Sequence, residues 1–245
     1  MTDPALTNRG APLVPPDPLG HNGLRGIAAD WASDQRVFKG VSWGKAMMWI
    51  FLLSDTFIFS CFLISYMTVR MSTTEPWPDT GEVFALKIGG HSTPLLLIAI
   101  MTFILISSSG TMAMAVNFGY RRDRVKSAVL MLVTAAFGAT FVGMQGLEWT
   151  KLILEGVRPW ANPWGAHQFG SSFFMITGFH GTHVTIGVIF LILMSRKVLR
   201  GDFDTERRGF FTSRKGRYEI VEITGLYWHF VDLVWVFIFA LFYLW

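Results

Sequence analysis

The chain has 245 residues, of which 51% are hydrophobic and 16% charged, with 22 Phe, 12 Met and 10 Trp and a mean hydropathy of +0.41. A soluble domain carries about 25% charged residues to cover its surface, so a water-soluble fold is excluded and an integral membrane protein is implied. The net charge of +4 at a sequence pI near 9.4 does not require a nucleic-acid partner, because excess Lys and Arg also mark cytoplasmic loops.

Residues 1–43 carry Pro, Gly and scattered charge without a continuous apolar run. They read as a cytoplasmic polar leader and lack the apolar stretch of a secretory signal peptide. The remainder, 44–245, reads as one membrane domain. A helix that crosses the hydrocarbon core needs about 20 mostly apolar residues, and five segments meet that need, at about 45–69, 93–118, 127–154, 170–195 and 224–245. None alternates in polarity as barrel strands do, so helices must satisfy their backbone groups. The expected fold is all-α, a polytopic bundle of five transmembrane helices. Of the 21 Lys and Arg, 17 fall in the leader, at Lys45 where the first span starts, and in the second and fourth connections, and four on the other side. The positive-inside rule then puts the N-terminus in and the C-terminus out.

The polar residues inside these spans each need an account, because ionisable groups at bilayer depth are costly. Asp55 interrupts the first span and reads either as a proton-handling or lipid-headgroup site or as an acid hydrogen-bonded between helices. Cys61 follows in the same run and reads as a small buried hydrophobe; as the only cysteine it excludes an internal disulfide and a Cys-ligated cluster. Gln145 and Glu148 lie one turn apart near the end of the third span, where Glu148 could simply snorkel to water. His180 and His183 in the fourth span share a helix face. They could ligate a metal only with further ligands from other helices, and His229, placed near the cytoplasmic end of the fifth span, is the one histidine left at depth. Packing and hydrogen bonding through close glycine contacts is the alternative. His229, Asp232 and Trp235 recur every three residues, so a His–carboxylate pair could hold a tautomer or relay a proton, or neutralise two buried charges. No metal site and no catalytic centre are assigned to this chain.

Several fragments, in order, resemble subunit III of the haem–copper terminal oxidases in its short five-helix bacterial form. They are Trp49 through Ser54-Asp55, Ser107-Ser108-Ser109, Gln145-x-x-Glu148-Trp149, Ser171-Ser172-Phe173-Phe174 through Thr177-Gly178-Phe179-His180-Gly181-Thr182-His183-Val184 to Gly187, and Tyr227-Trp228-His229-Phe230-Val231-Asp232-Leu233-Val234-Trp235. The resemblance covers about residues 43–245. Many members have Glu at the place of Asp55; Asp occurs notably in quinol-oxidising relatives. The larger members have two further N-terminal helices that this chain lacks. The loop Arg196–Arg217 is long and basic, suited to lipid phosphates and acidic subunit surfaces.

The resemblance implies a non-redox subunit of a proton-pumping terminal oxidase in aerobic respiratory electron transport. It would pack on subunit I, support proton uptake and preserve the enzyme through turnover. Asp55, Glu222, His229 and Asp232 are the implied proton- and lipid-linked polar sites, and Gln145, Glu148, His180 and His183 the polar residues of the family motifs. The expected cofactors are haems and copper in partner subunits, none in this chain, with phospholipids at its surface. The expected partners are subunit I directly, subunit II, a small subunit IV as a further candidate, and membrane lipids, without nucleic acid. The expected location is the bacterial inner membrane. Cytochrome c is favoured as electron donor on frequency alone, with a quinol oxidase or a nitric-oxide-reductase-like complex as alternatives. Outside the family stand a dihaem b-type electron carrier and a proton-coupled transporter.

Overall fold

The computed structural model describes residues 43–88, 91–93, 95–203 and 219–244; the leader up to residue 42 and most of the basic loop lie outside them. Five long helices carry the fold: α1 (Trp43–Ser72), α3 (Leu96–Tyr120), α4 (Arg124–Leu154), α5 (His167–Arg200) and α6 (Glu219–Phe242). All five are long and apolar enough to cross a membrane. Between α1 and α3 lie a single turn, α2 (Thr80–Val83), and a hairpin of β1 (Leu86–Ile88) and β2 (His91–Thr93), with Lys87 opposite Ser92. The fold is all-α as expected, and this short hairpin lies in a connection between spans. The sequence Gly89-Gly90 favours a tight hairpin connection, and Pro94 cannot donate within a helix, so α3 starts only at Leu96.

Local chemistry fixes the helix ends. Asp79 caps α2 by accepting from the Gly81 N–H at 2.8 Å, and Asp123 caps α4 by accepting from the Lys126 N–H at 3.2 Å. That backbone N–H holds the Asp123 carboxyl below the usual carboxylate range. Gly201 ends α5 in the left-handed region at φ 75°, with Lys197 and Arg200 in the last turn. Only Arg121, Arg122 and Asp123 join α3 to α4, which makes the two helices antiparallel neighbours.

The chain packs α3 on α4 and α4 on α5, and α6 lies against both α3 and α5. α1 is added outside this group of four and meets α5 and α6. Apolar side chains gain little by leaving lipid for a helix interface, so close packing and interhelical hydrogen bonds must hold such a bundle. Glycine supplies the closeness at Trp228. A Cβ on Gly138 would collide with the indole ring, and one on Gly187 would lie 2.9 Å from it. Cys61 is exposed on α1, which corrects its reading as a buried hydrophobe: the buried stripe of α1 runs through Leu52, Asp55, Phe59 and Tyr66, and Cys61 lies off it.

Candidate functional site

The polar side chains inside the bundle fall into clusters at different depths. Halfway along α1, Asp55 is 4% exposed and its Oδ2 lies 3.3 Å from Nε2 of His183 on α5, without hydrogen-bond alignment. His183 Nδ1 is 2.8 Å from the Phe179 carbonyl, and the Tyr227 hydroxyl of α6 donates to the His183 carbonyl at 2.9 Å. His180, one turn away and fully buried, instead lies with Nε2 3.2 Å from the Val231 carbonyl and its ring beside Trp235 and Phe141. Phe59 stands against both imidazoles. The two histidines therefore share a helix but not a target, and they do not converge on one metal. Among the described residues no group of three or more His, Cys, Asp or Glu is placed to hold a metal ion.

A second cluster joins α3 to α6. Trp228 donates from Nε1 to the Ser108 hydroxyl at 2.9 Å, and Ser109 Oγ lies 2.5 Å from His229 Nδ1. Trp235 donates to Thr102 at 3.1 Å. Asp232 is 6% exposed, and its carboxyl lies beside the Ser109 hydroxyl without hydrogen-bond alignment. His229 and Asp232 thus do not bond to each other; the hydroxyl of Ser109 engages the histidine. α6 also begins at Glu219, about five residues before the expected start, so His229 is its eleventh residue. It lies about 15 Å along the helix, near mid-helix and not at the end.

Towards the C-terminal end of α6, Gln145 donates from Nε2 to Glu148 Oε2 at 2.7 Å and the Tyr243 hydroxyl donates to the same oxygen at 3.1 Å. Glu148 is 3% exposed, so it does not snorkel; α4 continues six residues beyond it and Tyr243 closes over it. Trp149 donates to Thr177 at 3.2 Å. At the other end of the bundle, Glu222 is bound by both Lys45 and Tyr120, tying α1, α3 and α6 together. An open apolar groove of about 610 Å³ runs between α1 and α5, lined by Phe62, Tyr66, Val69, Ser171, Phe174 and Met175 among others.

Each residue singled out in the sequence is thus placed: Asp55 with His183, Glu222 with Lys45, His229 with Ser109, Gln145 with Glu148. Tyr243 and Thr111, whose hydroxyl is 2.7 Å from that of Thr134, were missed. Both lie far along the chain from their partners, and nothing local in the sequence marks them.

The arrangement defines a class first: a multi-pass helical membrane protein whose interior carries hydrogen-bonded polar layers. Residues 28–245 match the family described as Cytochrome c oxidase subunit III. The chain is 30% identical over 212 residues, covering 86% of itself and 92% of its relative, to a protein of Staphylococcus saprophyticus named probable quinol oxidase subunit 3. A protein of the same name from Staphylococcus aureus is 31% identical over 211 residues, with the same coverage of both chains. The chain belongs to the cytochrome c oxidase subunit III family, a subunit of the multi-subunit haem–copper oxidases.

Proposed function

We propose that this chain packs directly against subunit I of a proton-pumping oxidase, where it sustains proton uptake and protects the enzyme during turnover. The observation that carries this reading is the set of polar clusters inside an otherwise apolar bundle, above all Asp55 paired with His183 at mid-span. Subunit II, and a small subunit IV, complete the assembly. The bacterial inner membrane is its location, supported by the staphylococcal relatives. The N-terminus faces the cytoplasm, because 17 of 21 basic residues lie on that side of five spans.

The redox centres belong to the partner subunits. The imidazoles of His180, His183 and His229 are engaged by separate groups, on Val231, on Asp55 and Phe179, and on Ser109. A haem between two of them would require those contacts to break. The groove between α1 and α5 suits a phospholipid acyl chain by its size and apolar lining. Cytochrome c is the donor in the main reading; the names of the staphylococcal relatives favour quinol as the second.

Affinity purification of the tagged chain from its own membranes tests the assignment. Haem and copper should travel with the chain, and oxidation of reduced cytochrome c against quinol by that complex identifies the donor. Recovery of the chain alone, or with substrate-driven proton flux in liposomes, would refute it. In the complex, Asp55→Ala should leave haem content near normal and hasten inactivation during turnover; an unchanged lifetime counts against the role given to Asp55.

A further inference from the structure

We infer that Asp55 and His183 hold one proton between them, and that this neutral pair clips α1 onto α5 and retains its proton instead of passing it on. The inference deepens the reading of Asp55 above, and its proton count rests on geometry alone.

A carbonyl oxygen only accepts, so His183 Nδ1, 2.8 Å from the Phe179 carbonyl, carries a hydrogen. That leaves Nε2 facing Asp55 Oδ2 at 3.3 Å. With no proton between them, two lone pairs would oppose each other beside an unbalanced carboxylate. With two, an O–H and an N–H would oppose each other beside an unbalanced imidazolium. Either state leaves a net charge at mid-span, which is costly in an apolar surrounding. One proton removes both conflicts, and the pair is then neutral overall whether the proton lies on the oxygen or the nitrogen.

The surroundings support this count. Asp55 lies twelve residues into α1, about 18 Å along the helix. The other titratable groups packed about the pair are His180 on α5 and Tyr227 on α6. The first is turned to Val231, and the second already donates to the His183 carbonyl. Phe59 and Phe179 pack against the His183 ring. Among the described residues no further charged group interacts with the pair. The pair also has a mechanical reason to exist: α1 has only a narrow buried stripe, and Asp55 is the one acid in it.

Asn and Leu at position 55 separate a clip from a carrier. An asparagine amide can donate to the Nε2 lone pair of a neutral His183, whereas leucine leaves it unsatisfied. In the complex purified from native membranes, Asp55→Asn should keep turnover lifetime within about twofold of the unsubstituted protein, and Asp55→Leu should shorten it about fivefold or more. Equal damage by Asn and Leu would show proton carriage and overturn the proposal. Infrared spectra of the same complex give an independent count. The carboxyl signal lost in Asp55→Asn and the imidazolium signal lost in His183→Gln should together account for one proton. Release of that proton to solvent from intact complex would overturn it too. Failure to recover haem with the chain refutes the oxidase reading instead; the Asn and Leu variants are then compared by thermal unfolding of the full chain in native membranes, with the same ranking expected.

Discussion

α6 and α1 are both long apolar helices, yet α6 buries twelve of its 24 residues and α1 only five of its 30. α6 lies among α1, α3 and α5, with Trp228 and Trp235 fully buried, whereas α1 presents Leu53 and Phe57 outwards at 68% and 71% exposure. Lipid tails are as apolar as leucine, so hydropathy does not distinguish a central helix from a peripheral one. What does is the presence of groups that can be satisfied only by a neighbouring helix. α6 offers indole N–H groups and receives Ser108 and Thr102; α1 offers Asp55 at mid-span and Lys45 at its end.

That contrast can be broken most directly at Trp228. Trp228→Ala removes one of the two largest buried side chains among the described residues and leaves the pocket between Gly138 and Gly187 empty. It should lower the stability of the purified chain by about 3–5 kcal/mol, read by thermal unfolding in detergent. A small loss would mean that α6 is not the centre of the bundle. Gly138→Ala tests the same contact from the other side: the added methyl meets Trp228 and, at 2.8 Å, a methyl of Val188. A cost of about 1–3 kcal/mol is expected from such overpacking.

The peripheral helix should respond less. The Lys45–Glu222 pair is partly exposed, at 30% and 22%, and Tyr120 still binds Glu222 when the lysine is gone. Lys45→Met should therefore cost about 0.5–1 kcal/mol, measured as above. Phe57→Ala should change the stability of the isolated chain by no more than about 0.5 kcal/mol. If the same substitution releases the chain from its complex in a co-purification assay, the outer face of α1 is a contact with another subunit and its exposure ends on assembly.

Much of the fold was legible because the bilayer imposes it. Stretches of at least 20 apolar residues, interrupted by Arg121-Arg122-Asp123 or by Pro and Gly, must become helices once no water can satisfy the backbone. The ends were less legible. α6 extends to Glu219 because Lys45 and Tyr120 bind Glu222 from other helices, and that support cannot be seen locally. The site divides in the same way. Asp55, Glu148, His180, His183, His229 and Asp232 stood out because polar groups are rare in such spans, but their partners did not follow from spacing. His229 and Asp232, on one face at i and i+3, suggested a pair, and the serine of α3 took the histidine. Glu148, near a helix end, suggested solvent, and Tyr243 sealed it in.

The sequence by itself determined the class of protein, the number of crossings and the residues that could not be left alone in lipid. Hydrophobic length and polar rarity are properties of each segment, so they survive without a structure. Which helix is central and which histidine faces Asp55 were decided only by tertiary packing. They depend on how helices rotate against one another, and a rotation of one residue moves a side chain by about 100° around a helix. Close glycine contacts at Trp228 and the few hydrogen bonds across the interfaces select that rotation.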